Sequence, residues 1–199
     1  MKVLGVTGGT GTGKSTVCRL LEKDGAVIID ADRIAKKTQE KGSSAYGEIV
    51  ERFGSGILDE QGEIIRSALG KIVFNDRRKM KVLNGIVHKH VSEEIKSKVR
   101  EYEEKGTELV VLDVPIPVED GFFDTADRIW AVVANDDLRI ERIMKRMGIS
   151  EEEAELRIRA QMSNREYEEI ADAVIYNEGS FEDLKKLVEY ELRRYKEGL

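Results

Sequence analysis

The stretch Gly8-Gly9-Thr10-Gly11-Thr12-Gly13-Lys14-Ser15-Thr16 restricts the folds open to this chain more than any other. The apolar run Val3-Leu4-Gly5-Val6-Thr7 leads into it, and Val17-Cys18-Arg19-Leu20-Leu21-Glu22 leaves it with helical character. Gly8, Gly13, Lys14 and Ser15 satisfy G-x-x-x-x-G-K-[ST], a strand, loop and helix whose loop N–H groups and helix N-terminus surround a chain of phosphates. Glycines are expected because the backbone must turn through positive φ and let phosphate oxygens approach without a Cβ in the way. Residues 9 to 16 are therefore read as the nucleotide-phosphate site. Lys14 would bring charge to the β and γ phosphates, and the Ser15 hydroxyl would sit on Mg²⁺. The plainer reading is a glycine-rich turn with no ligand; the strand before it and the helix after it favour the phosphate site. What happens to the phosphate is left open by the loop alone.

At 199 residues the chain suits one compact domain carrying at most an inserted sub-domain. Its 40% hydrophobic and 36% charged residues fit an ordinary soluble protein. No apolar run approaches the ~20 residues that cross a bilayer, so no membrane association is expected. The first strand begins directly after Met1, so no signal or transit peptide is expected. A single cysteine, Cys18, excludes an internal disulfide and fits a reducing, cytoplasmic setting; it is read as packed rather than reactive. His88 and His90 lack cysteine partners at zinc-ligand spacing. A net charge of −6 argues against general nucleic-acid affinity, so an anionic ligand must be held by local basic groups.

Along the chain, Ala26-Val27-Ile28-Ile29 is a second strand ending in Asp30-Ala31-Asp32, with a helix from Arg33. In a parallel α/β sheet the ligand lies beyond the carboxyl ends of the strands, which favours a chemical role for Asp32 over simple helix capping. From 42 to 106 apolar residues recur at helical spacing: Tyr46, Ile49, Val50, Phe53; Leu69, Ile72, Val73; Met80, Leu83, Ile86, Val87, Val91, Ile95. Gly54, Gly56 and Gly62 interrupt them. This is a helical insertion, too long for a crossover. Lys71, Arg77, Arg78, Lys79 and Lys81 within it face Asp76 alone, which fits either a solvated surface or the steering of an anionic second substrate.

Leu109-Val110-Val111-Leu112-Asp113 reads as a strand buried on both faces, and Asp113 stands where some phosphate-loop proteins keep a Mg²⁺-positioning carboxylate. Pro115 and Pro117 force an extended exit, with Glu119 just beyond. Ile129 to Ala134 is a fourth strand with Trp130 in the core. Arg139, Arg142 and Arg146 then fall at i, i+3 and i+7, one face of a helix, with Ile140, Ile143, Met144 and Met147 on another. That row reads as a lid, the alternative being a surface helix with snorkelling arginines. Ser150 to Glu153 is a capping-box start to a helix reaching Gln161, followed by Arg165. Ala173 to Tyr176 is a fifth strand before Asn177-Glu178-Gly179, and Ser180 to Leu199 is a closing amphipathic helix. Every long element finds a place in a βα array.

At Asp30-Ala31-Asp32 the chain resembles the dephospho-coenzyme A kinase family, nearly end to end. The resemblance is carried by Gly5 to Val17, by Ile29-Asp30-Ala31-Asp32-Arg33-Ile34-Ala35, by Arg66-Ser67-Ala68-Leu69 with Val73-Phe74, by Leu83-Asn84-Gly85-Ile86-Val87-His88, and by Gln161, Ala171-Asp172 and Asn177-Glu178-Gly179. It implies a P-loop NTPase fold of the nucleoside-monophosphate-kinase type: three α/β/α layers, a five-stranded parallel sheet, a helical substrate-binding insertion and a helical lid. The core would be 1–41, 107–135 and 166–199, the coenzyme A-binding insertion 42–106 and the lid 136–165. The resemblance also implies ATP and dephospho-coenzyme A as substrates. ATP would be held by residues 9–16 with Arg142, Arg146 and Asn177, and the acceptor by Asp32, Arg66, His88, Glu119, Gln161 and Arg165. Asp32, the second acid of the D-A-D motif, would take the proton from the ribose 3′-hydroxyl, with Lys14 and Arg142 completing the catalytic set. Two positions depart from the family pattern: Lys89 follows His88 where proline is usual, and P-L-L-x-E reads Pro115-Ile116-Pro117-Val118-Glu119. Another small-molecule P-loop kinase, for a nucleoside or nucleoside monophosphate, is the alternative enzyme. A nucleotide-dependent switch is the alternative outside enzymes, although no N-K-x-D or T-K-x-D motif occurs. The sequence leaves the oligomeric state open.

Overall fold

The computed structural model describes residues 1–198, the side chain of Glu119 excepted, so the expected end of the last helix at Leu199 lies outside the described residues. The chain forms two compact units, residues 1–29 with 101–199, and residues 30–100.

The first unit is built on a five-stranded parallel sheet. Its strands are β1 (Lys2–Thr7), β2 (Val27–Asp30, which ends where the second unit begins), β3 (Leu109–Asp113), β4 (Arg128–Val133) and β5 (Ala173–Tyr176), in the order β2-β3-β1-β4-β5. All five expected strands are present, two of them displaced by one residue. Ala26 is lost from β2 because its N–H donates to Leu21 O in the turn before it. Ala134 is lost from β4, and its carbonyl accepts from Asn164 Nδ2 instead. β1 lies at the centre of the sheet with Val3 to Thr7 all buried, as a strand covered on both faces must be.

One face of the sheet is covered by α1 (Lys14–Lys23) and α9 (Phe181–Glu197). Leu4, Val6, Val111, Trp130 and Val132 pack there against Val17, Leu21, Val188 and Leu192. Each of the larger side chains contributes about 1.5–3 kcal/mol by leaving water, and Trp130 is core, as expected. On the other face Ala131 and Val133 meet Tyr167 of α8 (Asn164–Glu169), giving three layers. Between β4 and α8 lie α6 (Asp136–Met147) and α7 (Glu151–Arg159), and α7 starts with the expected capping box of Ser150 and Glu153.

The second unit is helical: α2 (Ala31–Lys37), α3 (Ser44–Phe53), α4 (Arg66–Val73) and most of α5 (Arg77–Glu104). Its core gathers Ala45, Ile49, Ile57, Leu69 and Val73, with Phe53, Ile72, Met80, Leu83, Ile86 and Val87 against them. These are largely the positions that recur at helical spacing in the sequence. A small turn at Asp59–Gly62 brings Leu58 and Ile64 together as an antiparallel bridge.

Candidate active site

The loop emerges from the carboxyl end of the central strand. Parallel register sets Val6 beside Asp113 and Thr7 beside Ala131, so the ends of β3 and β4 flank it. Gly11 (φ 80°) and Gly13 (φ 93°) hold left-handed conformations that other residues adopt at a cost. Both glycines also make room for the protein itself. A Cβ on Gly11 would lie 2.8 Å from Arg139 O, and one on Gly13 would collide with Asn177 Nδ2. The space beside Gly11 is taken by the Arg139 backbone and that beside Gly13 by the Asn177 side chain.

Thr12 is fully buried and its hydroxyl donates to Gly9 O at 2.8 Å, closing the loop on itself. The N–H groups of Gly11, Gly13, Lys14 and Ser15 have no protein acceptor among the described residues, and the last two open α1. Those donors, at a helix N-terminus, are what an anion requires. Lys14 Nζ is ion-paired with Asp113 Oδ1, both side chains mostly shielded from solvent. The Ser15 hydroxyl makes no hydrogen bond among the described residues and is exposed.

Around the loop, Asn177 at the end of β5 donates through Nδ2 to Thr12 O at 2.8 Å. Arg142 donates to Gly11 O at 3.3 Å and to Asn177 O at 3.0 Å, and Arg146 donates to Thr10 Oγ1 at 3.0 Å. Gln161 Oε1 accepts from Thr10 N at 2.7 Å. The expected nucleotide residues 9–16, Arg142, Arg146 and Asn177 are thus neighbours, and Gln161, expected at the acceptor, joins them at the loop.

The arginine row divides. Arg142 and Arg146 reach over the loop, whereas Arg139 is 1% exposed, inserted beneath it. Its Nε donates to Thr10 O at 3.0 Å and its Nη1 to Asp136 at 2.9 Å. Gly9 and Gly11 lie outside the defining motif, and each opens onto Arg139, where a Cβ on Gly9 would stand 2.5 Å from Nη2. Those surplus glycines were the signal for a buried arginine. Asp113 as the partner of Lys14 was likewise absent from the expected site residues, although its place at the end of a buried strand pointed there.

Arg165 turns outward on α8 and pairs with Glu169 at 2.9 Å. Tyr167 donates to Pro115 O at 3.0 Å and so ties down the segment leaving β3; burial pushes its phenol pKa up, keeping it a donor. Glu119, beyond that segment, has its side chain outside the described residues.

In the second unit, Asp30 caps α2 by accepting from Arg33 N at 2.9 Å, which leaves Asp32, in the first turn, exposed and without a partner among the described residues. Of the two acids only Asp30 takes the capping role. Arg66, at the start of α4, and His88, on α5, are also exposed and unpaired among the described residues. Lys89, where the family pattern has proline, lies inside α5 and pairs with Glu48 of α3 at 2.9 Å. His90 Nε2 meets the same carboxylate at 2.9 Å, and the hydrogen bonds from Lys89 and then His90 hold the Glu48 carboxyl below its ordinary pKa.

A parallel sheet whose central strand delivers a lysine-bearing glycine loop onto a helix, with arginines over that loop, defines a P-loop kinase. The profile of the dephospho-CoA kinase family matches residues 2–183. A dephospho-CoA kinase of Carboxydothermus hydrogenoformans is 42% identical over 98% of this chain and 95% of its own. Among solved structures, a Thermus thermophilus protein superposes with a TM-score of 0.81 at 32% identity, covering 97% of each chain. A dephospho-CoA kinase from Campylobacter jejuni superposes with a TM-score of 0.73 at 26% identity, over 100% of this chain and 99% of its own. The chain belongs to the dephospho-CoA kinase family.

Proposed function

We propose that the chain transfers the γ-phosphoryl group of ATP to the ribose 3′-hydroxyl of dephospho-coenzyme A, with Asp32 as the base. The observation that carries this reading is the loop with its unpaired N–H donors, held by Asn177, Gln161 and Arg139, in a chain of this family. Family membership favours it over a nucleoside kinase or a nucleotide switch.

In-line transfer asks little covalent work of the protein, so positioning and charge neutralisation do most of it. The acceptor oxygen forms a bond to the γ phosphorus as the bond to the ADP oxygen breaks. Asp32, exposed and unpaired among the described residues, accepts the hydroxyl proton. Lys14, oriented by Asp113, lies against the β and γ phosphates. Arg142 and Arg146 exchange their loop contacts for phosphate oxygens as residues 136–165 close as a lid and exclude water. Residues 42–106 supply the acceptor side, where the family resemblance assigns Arg66 and His88, both exposed and unpaired among the described residues.

The donor set also fits Mg²⁺, a hard cation that takes oxygen ligands: the exposed Ser15 hydroxyl makes no hydrogen bond among the described residues, and the Asp113 carboxylate stands beside Lys14. Bound there with phosphate oxygens, the ion would supply charge neutralisation. A cytoplasmic setting accords with the single cysteine, Cys18, which is buried.

The test is an acceptor panel with labelled ATP, expected to show transfer to dephospho-coenzyme A and little to nucleosides or nucleoside monophosphates. Asp32→Asn is expected to keep ATP binding and to lower turnover about 10²–10⁴-fold. An unchanged turnover number would remove Asp32 from the mechanism.

A further inference from the structure

Phe74, in the corner between α4 and α5, is 78% exposed, more than any other large apolar side chain among the described residues. Its neighbour Val73 is 3% exposed and sits in the helical core. The Phe74 ring lies against Gly70, where a Cβ would come within 2.8 Å of Cε2. Absence of that Cβ lets the ring rest on the helix while its outer face stays open.

The corner itself is fixed. Phe74 N donates to Gly70 O at 2.9 Å and Asp76 N to Val73 O at 3.1 Å. Asp76 Oδ1 accepts from Arg78 N and Lys79 N at 2.9 and 3.1 Å, so the one acid nearby is occupied with the start of α5.

Lys71, Arg77, Arg78, Lys79 and Lys81 surround the ring in sequence, all exposed and none in an ion pair among the described residues. Elsewhere on α5 the lysines find acids: Lys89 pairs with Glu48 at 2.9 Å and Lys98 with Glu94 at 3.2 Å. In a chain of net charge −6, five cations thus lie within seven residues of its most exposed large apolar side chain, none of them in an ion pair among the described residues.

A solvated basic face alone would not require an open phenyl ring, whose exposure forgoes apolar burial. Ring and cations together match a ligand carrying a flat heteroaromatic group next to a diphosphate. Stacking of a base on an aromatic side chain and guanidinium contact with phosphate oxygens are the chemistries those residue types supply.

We propose that Phe74, with Lys71, Arg77 and Arg78, seats the nucleotide end of the acceptor, the adenine on the Phe74 ring and the 5′-diphosphate against the cations. This rests on dephospho-coenzyme A being the acceptor. The pantetheine arm, uncharged and without a π face, answers to neither half of the patch.

Phe74→Ala is expected to raise KM for dephospho-coenzyme A roughly 5- to 100-fold while kcat and KM for ATP change less than about twofold, with Phe74→Trp restoring KM. Arg77→Glu combined with Arg78→Glu is expected to raise the same KM and to weaken its salt dependence. Phe74→Trp also reports binding without turnover, because Trp130, the other tryptophan, is 2% exposed. Dephospho-coenzyme A should perturb the emission of the introduced tryptophan and pantetheine should not.

Unchanged KM in Phe74→Ala, or emission indifferent to saturating dephospho-coenzyme A, overturns the proposal. So does a change of molecular mass in Phe74→Ala with KM intact, which would make the ring a contact between copies of the chain. Turnover of wild-type protein on the acceptor panel tests the parent reading separately: a wild type that phosphorylates dephospho-coenzyme A while the Phe74 variants behave like it sinks only the patch.

Discussion

The proposed site residues of the two units differ in how far they are already engaged. In the first, Lys14, Arg139, Arg142, Asn177 and Gln161 are all engaged with the loop or with Asp113. In the second, Asp32, Arg66, His88 and Arg77 are exposed and unpaired among the described residues. A polyphosphate presents the same oxygens at every turnover, so a rigid cradle of N–H groups assembled in advance suits it. Reading a larger acceptor calls for side chains still free to bond. The donor side is therefore expected to respond to mutation in stability as well as rate, and the acceptor side chiefly in KM.

The sharpest break of that contrast lies within α6. Arg142 bonds two loop-side carbonyls from a half-buried position, yet its proposed work is on phosphate. Arg142→Ala is expected to lower kcat about 10²–10³-fold, equivalent to about 2.7–4 kcal/mol, with little change in Tm. Steady-state kinetics beside a thermal melt decide the matter. If Tm falls and kcat holds, Arg142 is a brace and the lid reading loses its best residue.

Arg139→Leu should show the reverse emphasis. Thr10 O loses its donor, Asp136 its partner, and the guanidinium volume is refilled imperfectly. The cost is about 2–4 kcal/mol, which lowers Tm by roughly 5–15 °C for a chain of this size. Activity measured well below the new Tm should fall less than in Arg142→Ala. Equal losses of stability in the two variants would mean that burial does not separate them.

These expectations trace which parts of the molecule could be read in advance. The loop was legible because strand, glycines, lysine and serine are contiguous, and local sequence carries the whole pattern. The strands were legible from short apolar runs rich in β-branched residues, and their ends slipped only where Ala26 and Ala134 bond outside the sheet. Arg139, Arg142 and Arg146 share a helical stripe and look equivalent in one dimension; three-dimensional packing buries the first and frees the others. Which atom each strand-end residue meets, such as Asp113 with Lys14 or Asn177 with Thr12, depends on sheet order β2-β3-β1-β4-β5, and a list of strands does not contain that order. The residues proposed for the acceptor could be named only through family resemblance, since exposed side chains without partners leave no trace in periodicity.

The smallest effect is expected in the second unit, from Lys89→Met. Lys89 and Glu48 are both substantially exposed, so their pair should add little, and salt should screen it. Its pH dependence is nevertheless specific. Hydrogen bonds from Lys89 and His90 hold the Glu48 carboxyl below its ordinary value, and the bond to Glu48 holds the Lys89 ammonium above its own. A depressed carboxyl contributes stability above its unfolded pKa, about 4.3 for glutamate, and loses it as pH falls through the folded value. The raised ammonium contributes below its unfolded pKa, about 10.4, and loses it only above that. The Tm difference between wild type and Lys89→Met should therefore be flat from about pH 6 to 9 and shrink below about pH 4.5. A gap that persists unchanged at pH 3 would assign the effect to helix packing at position 89, and one as large as that of Arg139→Leu would show that the second unit is braced as tightly as the first.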